Sequence, residues 1–191
     1  QQISQLNDNG MRVIRVASNH QPLLKNEAFS DEDENDLMLV GYIALLDPPK
    51  MSAKAAVKDL LKKGVQVKIL TGDNEKVTKY ICQQLGLKST KVLLGDQIEK
   101  MDFDQLREEV KDTTIFAKLS PEQKANIVKA LKSNKHVVGF MGDGINDAPA
   151  MRAADIAISV DTAVDIAKES ADVILLEKDL GILVNGALQG R

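Results

Sequence analysis

The 191-residue chain is poor in the residues on which several kinds of chemistry depend. Its single cysteine, Cys82, can form no internal disulfide and has no partner at zinc-site spacing. Because it falls within a helical pattern, Cys82 reads as a buried structural thiol. The only histidines are His20 and His136, and no motif pairs a serine or cysteine with either. Triad hydrolysis and histidine-metal chemistry therefore have little support. No apolar run approaches the length needed to span a bilayer, and the first residues do not resemble a signal peptide, so the chain is expected to be soluble. With a net charge of -3 there is no basic excess to attract nucleic acid. Neither an internal repeat nor a low-complexity segment is present.

Hydrophobic residues make up 43% of the chain and charged residues 28%, an ordinary balance for a domain with a sizeable core and a smaller appendage. Residues 1–46 contain two apolar runs, 10–17 and 37–46, separated by the acidic stretch Ser30-Asp-Glu-Asp-Glu-Asn-Asp36. Two strands and a short helix cannot bury a core by themselves, so this segment is expected to be part of a larger β-rich body. The acidic stretch reads as a solvated loop. Asp47-Pro48-Pro49 ends the second run and is expected to form a stiff connector at 47–49, because neither proline can donate to a ladder. A simple strand stop within one domain is the alternative.

From Lys50 to Arg191, helical and extended patterns alternate. Helices are expected over 50–63, around Val77 to Leu85, around Phe103 to Val110, from Pro121, and near Thr162 to Lys168. Strands are expected at 65–70, near Val92, and at 114–117, 137–141, 155–159 and 173–176. Such alternation implies an α/β fold, a mainly parallel Rossmann-like sheet with helices on both faces, preceded by the partial β-rich segment.

Three places in this series carry chemistry. The run Val137 to Met141 reads as a strand buried on both faces that stops at Gly142-Asp-Gly-Ile-Asn-Asp147. The carboxyl ends of parallel strands form the ligand crevice, so Asp143 is a candidate metal ligand there. Asn146 is a candidate N-cap for the helix that follows. Strand 65–70 runs into Thr71-Gly72-Asp73, which supplies a hydroxyl, a backbone amide and a carboxylate. Ser120-Pro-Glu-Gln123 is a capping box with proline at the first helical position. It places Lys124 in the first turn, where a cation costs roughly 0.3–1 kcal/mol against the helix dipole unless an anion lies nearby. Polar turns and a solvated lysine would explain each motif separately; together they suit a site for one phosphoryl group and its magnesium ion.

The motifs Asp47-Pro-Pro-Lys50, Thr71-Gly-Asp73, Ser120-Pro-Glu-Gln-Lys124 and Gly142-Asp-Gly-Ile-Asn-Asp147 occur in the order found in P-type ATPases, members of the haloacid-dehalogenase-like superfamily. The chain resembles that family over nearly its whole length. The stretches Gly139 to Asp161, Ala163 to Ala167 and Ile174 to Lys178 are most similar to its bacterial magnesium-transporting branch.

The resemblance implies that Asp143 coordinates the catalytic Mg²⁺, that Thr71 and the Gly72 amide hold phosphoryl oxygens, and that Lys124 neutralises phosphoryl charge. Asn146 and Asp147 complete the site. Arg12, Asp73, Lys50 and Lys118 fall where ATP contacts are expected. Many relatives have arginine in place of Lys50 and Lys118, and lysine cannot make the same bidentate fork.

The family's nucleophile motif, Asp-Lys-Thr-Gly-Thr, is absent. The resemblance thus implies a cytoplasmic piece: residues 1–46 from the nucleotide-binding domain, 47–49 as hinge, and 50–191 from the phosphorylation domain without its nucleophile strand. Its partners would be ATP, that upstream strand, the membrane helices of the same chain, and a transported cation, with Mg²⁺ import the expected activity of the parent. Two alternatives are a free-standing phosphatase, which would hydrolyse phosphate esters, and a non-catalytic nucleotide-binding module, which would bind ATP regardless of Asp143 or Lys124.

Overall fold

A computed structural model describes residues 2–19, 36–88, 91–177 and 180–189. The acidic stretch lies outside the described residues except for Asp36.

After helix α1 (Gln2–Asp8), strands β1 (Met11–Ser18) and β2 (Met38–Leu46) pair antiparallel, Met11 opposite Leu46, with an irregularity between Val16 and Ala17. Ile14, Val16, Leu39, Val40, Ile43 and Leu45 all remain exposed on this ribbon. Two strands have no second layer on which to bury such side chains. The ribbon is tied to the rest by α1, where Lys76 Nζ donates to Ser4 Oγ (2.6 Å) and Asp8 Oδ2 (2.9 Å). Gly10, at φ +80°, lies against the Tyr80 ring, and a Cβ there would come within 2.2 Å of it.

Past Pro48-Pro49 the chain alternates: α2 (Met51–Lys62), β3 (Ile69–Leu70), α3 (Glu75–Leu85), β4 (Val92–Leu94), a short α4 (Gly95–Ile98), α5 (Phe103–Asp112), β5 (Ile115–Ala117) and α6 (Pro121–Ser133). Then come β6 (Gly139–Met141), a 3-10 turn (Ile145–Asp147), α7 (Ala148–Ala153), β7 (Ile156–Val160), α8 (Asp165–Glu169), β8 (Val173–Leu175) and α9 (Gly181–Gln189). The strands form two three-stranded parallel sheets, ordered β3-β5-β4 and β6-β7-β8. The expected α/β class is present, with its parallel strands in two groups among the described residues.

Helices cover both faces of the first sheet. Ile115 packs with Val57, Cys82 and Leu87 from the α2 and α3 side. Its neighbour Phe116 points the other way, into Leu106, Val110, Ile127 and Leu131 of α5 and α6. The second sheet packs Phe140 and Ala157 against Val128, Ala150, Met151, Ala163 and Ala167. Helix α6 serves both cores, with Ile127 in one and Val128 in the other.

Two expectations need correction. Strand β3 is two residues long, because only Ile69 and Leu70 pair with β5. Lys68, just before it, is instead turned toward the end of α5, where its Nζ donates to the carbonyls of Val110 and Thr113, both at 2.7 Å. Run 137–141 is not buried on both faces either: Phe140 is buried, but Val137 is 82% exposed and Met141 39%. Among the described residues β6 pairs only with β7, and its other edge carries no neighbouring strand.

Candidate functional site

The end of α6 nearest the crevice follows its sequence closely. The Ser120 hydroxyl accepts from the Gln123 amide (3.2 Å), and Gln123 Oε1 accepts from the Ser120 amide (2.9 Å). With the helix start fixed in this way, Lys124 is held in the first turn and is buried. Its Nζ reaches Asp147 Oδ1 at 2.7 Å, with side chains only 10% and 16% exposed. The anion that offsets the helix dipole therefore comes from the chain itself, 23 residues downstream.

Asp147 in turn organises the glycine loop. Its second oxygen accepts from the Gly144 amide at 3.3 Å. A Cβ on Gly142 would lie 2.5 Å from Asp147 Cβ, so glycine is required for that carboxylate to come in close. Asn146 is not an N-cap. It lies within the 3-10 turn, exposed, and α7 begins after Asp147 with no side-chain cap. The Asp147 amide donates to the Gly144 carbonyl, the Ala148 amide to the Ile145 carbonyl, and Pro149 has no amide, which leaves Asn146 Oδ1 nothing to cap at the start of α7.

Asp143 is exposed at the carboxyl end of β6. Its main chain is tied down, since its carbonyl accepts from Val164 (3.2 Å) and the preceding Gly142 amide donates to Ile158 (3.1 Å). Among the described residues its carboxylate has no ion pair or hydrogen bond.

At the carboxyl end of β3, Thr71 Oγ1 accepts from the Asp73 amide at 3.0 Å. The turn is stitched to the segment after β5: Lys118 donates its amide to the Asp73 carbonyl, and Leu119 donates to the Thr71 carbonyl, both at 3.0 Å. Lys118 adopts φ +55°, a left-handed conformation uncommon for a non-glycine residue. The Gly72 amide makes no hydrogen bond among the described residues.

Around this centre, Arg12 pairs with Asp73 (3.0 Å) and Lys118 with Glu75 (3.3 Å). Burial alone would raise the Glu75 carboxyl, but its own backbone amide and Lys118 outweigh that and hold it below its ordinary value. Lys50 stands apart, in a cleft of about 240 Å³ lined by Leu46, Pro48, Pro49, Lys54, Tyr80 and Gln84.

No group of three or more His, Cys, Asp or Glu side chains that could hold a metal is present among the described residues. A single free carboxylate is still a sufficient protein ligand for Mg²⁺, which commonly keeps its waters and binds one or two carboxylates together with substrate phosphates. Asp143 fits that role, whereas Asp147 is already engaged by Lys124.

Two contributors were not anticipated. Glu75 partners Lys118, and Ser159, fully buried on β7, donates its hydroxyl to the Gly142 carbonyl at 2.9 Å. Glu75 is a helix-start acid like many others. Ser159 could have been noticed as the one polar residue in Ile156-Ala-Ile-Ser-Val160.

The chain is 52% identical over 186 residues to the magnesium-transporting ATPase, P-type 1, of Escherichia coli K12, covering 97% of this chain and 21% of that protein. It is 35% identical over 185 residues to a calcium-transporting ATPase of Bacillus subtilis, covering 95% of this chain and 21% of the relative. It spans about a fifth of the length of the curated relatives it matches. A crystal structure of a zinc-transporting PIB-type ATPase in the E2.Pi state superimposes with a TM-score of 0.63 at 29% identity, over 96% of this chain and 23% of the other. The model of haloacid dehalogenase-like hydrolases matches residues 7–155, and the chain belongs to that family.

Proposed function

We propose that this chain is the phosphoryl-handling region of a P-type ATPase, and that the intact protein couples ATP hydrolysis, through an aspartyl phosphate, to cation transport. Mg²⁺ import is the favoured activity, supported by the 52% identity to the Escherichia coli magnesium-transporting ATPase. On this proposal residues 1–46 belong to the nucleotide-binding domain, 47–49 form the hinge, and 50–191 belong to the phosphorylation domain on the cytoplasmic side of a membrane.

The observation that carries it is a pair of open sheet edges. Among the described residues, strand β3, which leads to Thr71, pairs only with β5, and β6, which leads to Asp143, pairs only with β7. Leu70 at the end of β3 and Val138 ahead of β6 each pack against both cores, so the two edges border the same helix, α6. Bare apolar parallel edges are rare, since such strands are normally enclosed. A further parallel strand between them would join the sheets and deliver its carboxyl end between Thr71 and Asp143. A nucleophilic aspartate borne there fits both motifs.

The chain's own groups then have definite tasks. The Thr71 hydroxyl already accepts from the Asp73 amide, which leaves its hydrogen free for a phosphoryl oxygen. The Gly72 amide is a second donor for the same group. Lys124, held by Asp147, places a desolvated positive charge beside the transferring oxygens, where low dielectric magnifies its effect. Asp143 would hold Mg²⁺, which when bound neutralises phosphoryl charge and orients its oxygens. Asn146 is exposed beside it and can donate to the same group. Arg12 and Asp73 occupy the nucleotide side, with Lys118 behind them; Lys50 would contact nucleotide only if ATP reached the hinge cleft.

Asp143→Asn in the intact protein tests this proposal. Loss of both transport and the hydroxylamine-labile phosphoenzyme is expected; normal transport would remove Asp143 from the mechanism. The 191-residue chain alone, incubated with labelled ATP and Mg²⁺, should take up no acid-stable label. Hydroxylamine-labile label on it would mean that one of its own aspartates is a nucleophile, and the proposal would be withdrawn.

A further inference from the structure

The backbone ladder between β6 and β7 runs one residue beyond β6, where the Gly142 amide donates to the Ile158 carbonyl. At the next step a side chain takes over: Ser159 Oγ donates to the Gly142 carbonyl at 2.9 Å. Ser159 is fully buried on the same face of β7 as Ala157, amid alanines and other apolar side chains. A buried serine gains little there unless its hydroxyl is used, and the acceptor it has chosen is the carbonyl of the peptide that leads into Asp143.

That peptide is restrained from several directions. Gly142 is buried, with Asp147 packed against its Cα, its amide on Ile158 and its carbonyl on Ser159. The next carbonyl, that of Asp143, accepts from Val164. The orientation of the Gly142 carbonyl sets the plane of the 142–143 peptide and thereby the direction of the Asp143 Cα–Cβ bond. Alanine at 159 would leave Gly142 free to turn that plane, since glycine meets little steric resistance.

We infer that Ser159 is a positioning residue: through the Gly142 carbonyl it fixes the direction in which Asp143 presents its carboxylate. The value of that direction rests on the proposed magnesium role of Asp143. The hold on the loop can be measured separately.

The test uses the 191-residue chain, by amide exchange and by line broadening with Mn²⁺ as a paramagnetic substitute for Mg²⁺. Three amides report the loop: Gly142 on Ile158, Gly144 on Asp147, and Val164 on Asp143. The Thr71 amide on Phe116, in the other sheet, is the reference. In Ser159→Ala the three loop amides should exchange about tenfold faster relative to Thr71, the loss expected for one buried hydrogen bond. Broadening of the Gly144 signal should require several-fold more Mn²⁺, and Ser159→Thr, which keeps the hydroxyl, should restore both.

Equal acceleration at Thr71, or no acceleration, would overturn the inference, because Ser159 would then be only a satisfied buried hydroxyl. Asp143→Asn should abolish the broadening. If broadening persists in that variant, the metal role of Asp143 falls, and with it the purpose assigned to Ser159, while the exchange rates still decide whether the hydroxyl holds the loop.

Discussion

The two parallel sheets are built from different material. The first fills its core with Leu93, Leu106, Val110, Phe116, Ile127 and Leu131, and its central strand β5 is wholly inaccessible. The second relies on Ala150, Ala157, Ala163 and Ala167, with Phe140, Met151 and Val128 of the shared helix as the larger members of its cluster and Leu175 buried on β8. Large aliphatic and aromatic groups bury more area, each worth roughly 1.5–3 kcal/mol, so the first sheet is where stability concentrates. Alanines bury less but let main chains approach. In the second sheet that closeness lets short elements be tied by backbone groups, Val164 to the Asp143 carbonyl and Asp172 to the Ala157 carbonyl. One sheet supplies cohesion, and the other holds the Asp143 loop to a narrow geometry.

The contrast can be broken by exchanging the two kinds of fault. Phe116→Ala empties the centre of the first core and should cost about 3–5 kcal/mol in urea unfolding. Spectra of the Gly142 to Asp147 loop should change little if the two cores are independent. Ala157→Leu inserts bulk where close approach matters; overpacking of this kind costs about 1–3 kcal/mol. Despite that smaller cost, it should shift the amide signals of the Asp143 loop more than Phe116→Ala does. If the loop responds equally to both, the division between cohesion and geometry is wrong.

The smallest effect concerns acid. Asp155 accepts from the Val138 amide (2.9 Å) and pairs with Lys132 (2.9 Å), fastening the lead into β6 to the start of β7. The Val138 amide foremost, and Lys132 after it, hold its carboxyl below the ordinary value of 3.8. The unfolded chain then takes up a proton more readily than the folded one, so this contribution is present above about pH 4 and is lost as pH falls through the depressed value. Exchange at the Val138 amide should therefore accelerate in acid before exchange at Thr71, and Asp155→Asn should remove that difference. The first sheet has at the matching place Lys68, whose ammonium is lowered by burial, with Asp112 opposing. Lys68 stays charged throughout acid, so no such early loss is expected there.

Much of the site was legible because its signals are local. The capping box at Ser120 depends on four consecutive residues, and its geometry is as the spacing required. The turns after β3 and β6 follow from glycines at the ends of apolar runs. What could not be read is pairing over distance. The misfit of Lys124 in the helix dipole was visible, yet a bound anion and the Asp147 carboxylate would satisfy it equally, and only the fold brings Asp147 to 2.7 Å. Asn146 does not cap because a 3-10 turn takes up Ile145–Asp147 before α7 begins, and Pro149, three residues on, has no amide to donate. Val137 was misjudged because an apolar run implies burial without saying whether a neighbouring strand is present.

By itself, then, the sequence determined the alternation of helices and strands, the start of α6, and the placing of three polar motifs at strand or helix ends. Each is dictated by hydrogen-bonding and dihedral preferences within a few residues. The tertiary structure alone decided that Asp147 neutralises Lys124, that Ser159 holds the Gly142 carbonyl, and that Asp143 has no side-chain partner among the described residues while Asp73 is taken by Arg12. These contacts join residues from 17 to 61 positions apart, counting 159 minus 142 and 73 minus 12, and no local preference specifies which of many compatible charges or carbonyls will meet once the sheets have packed.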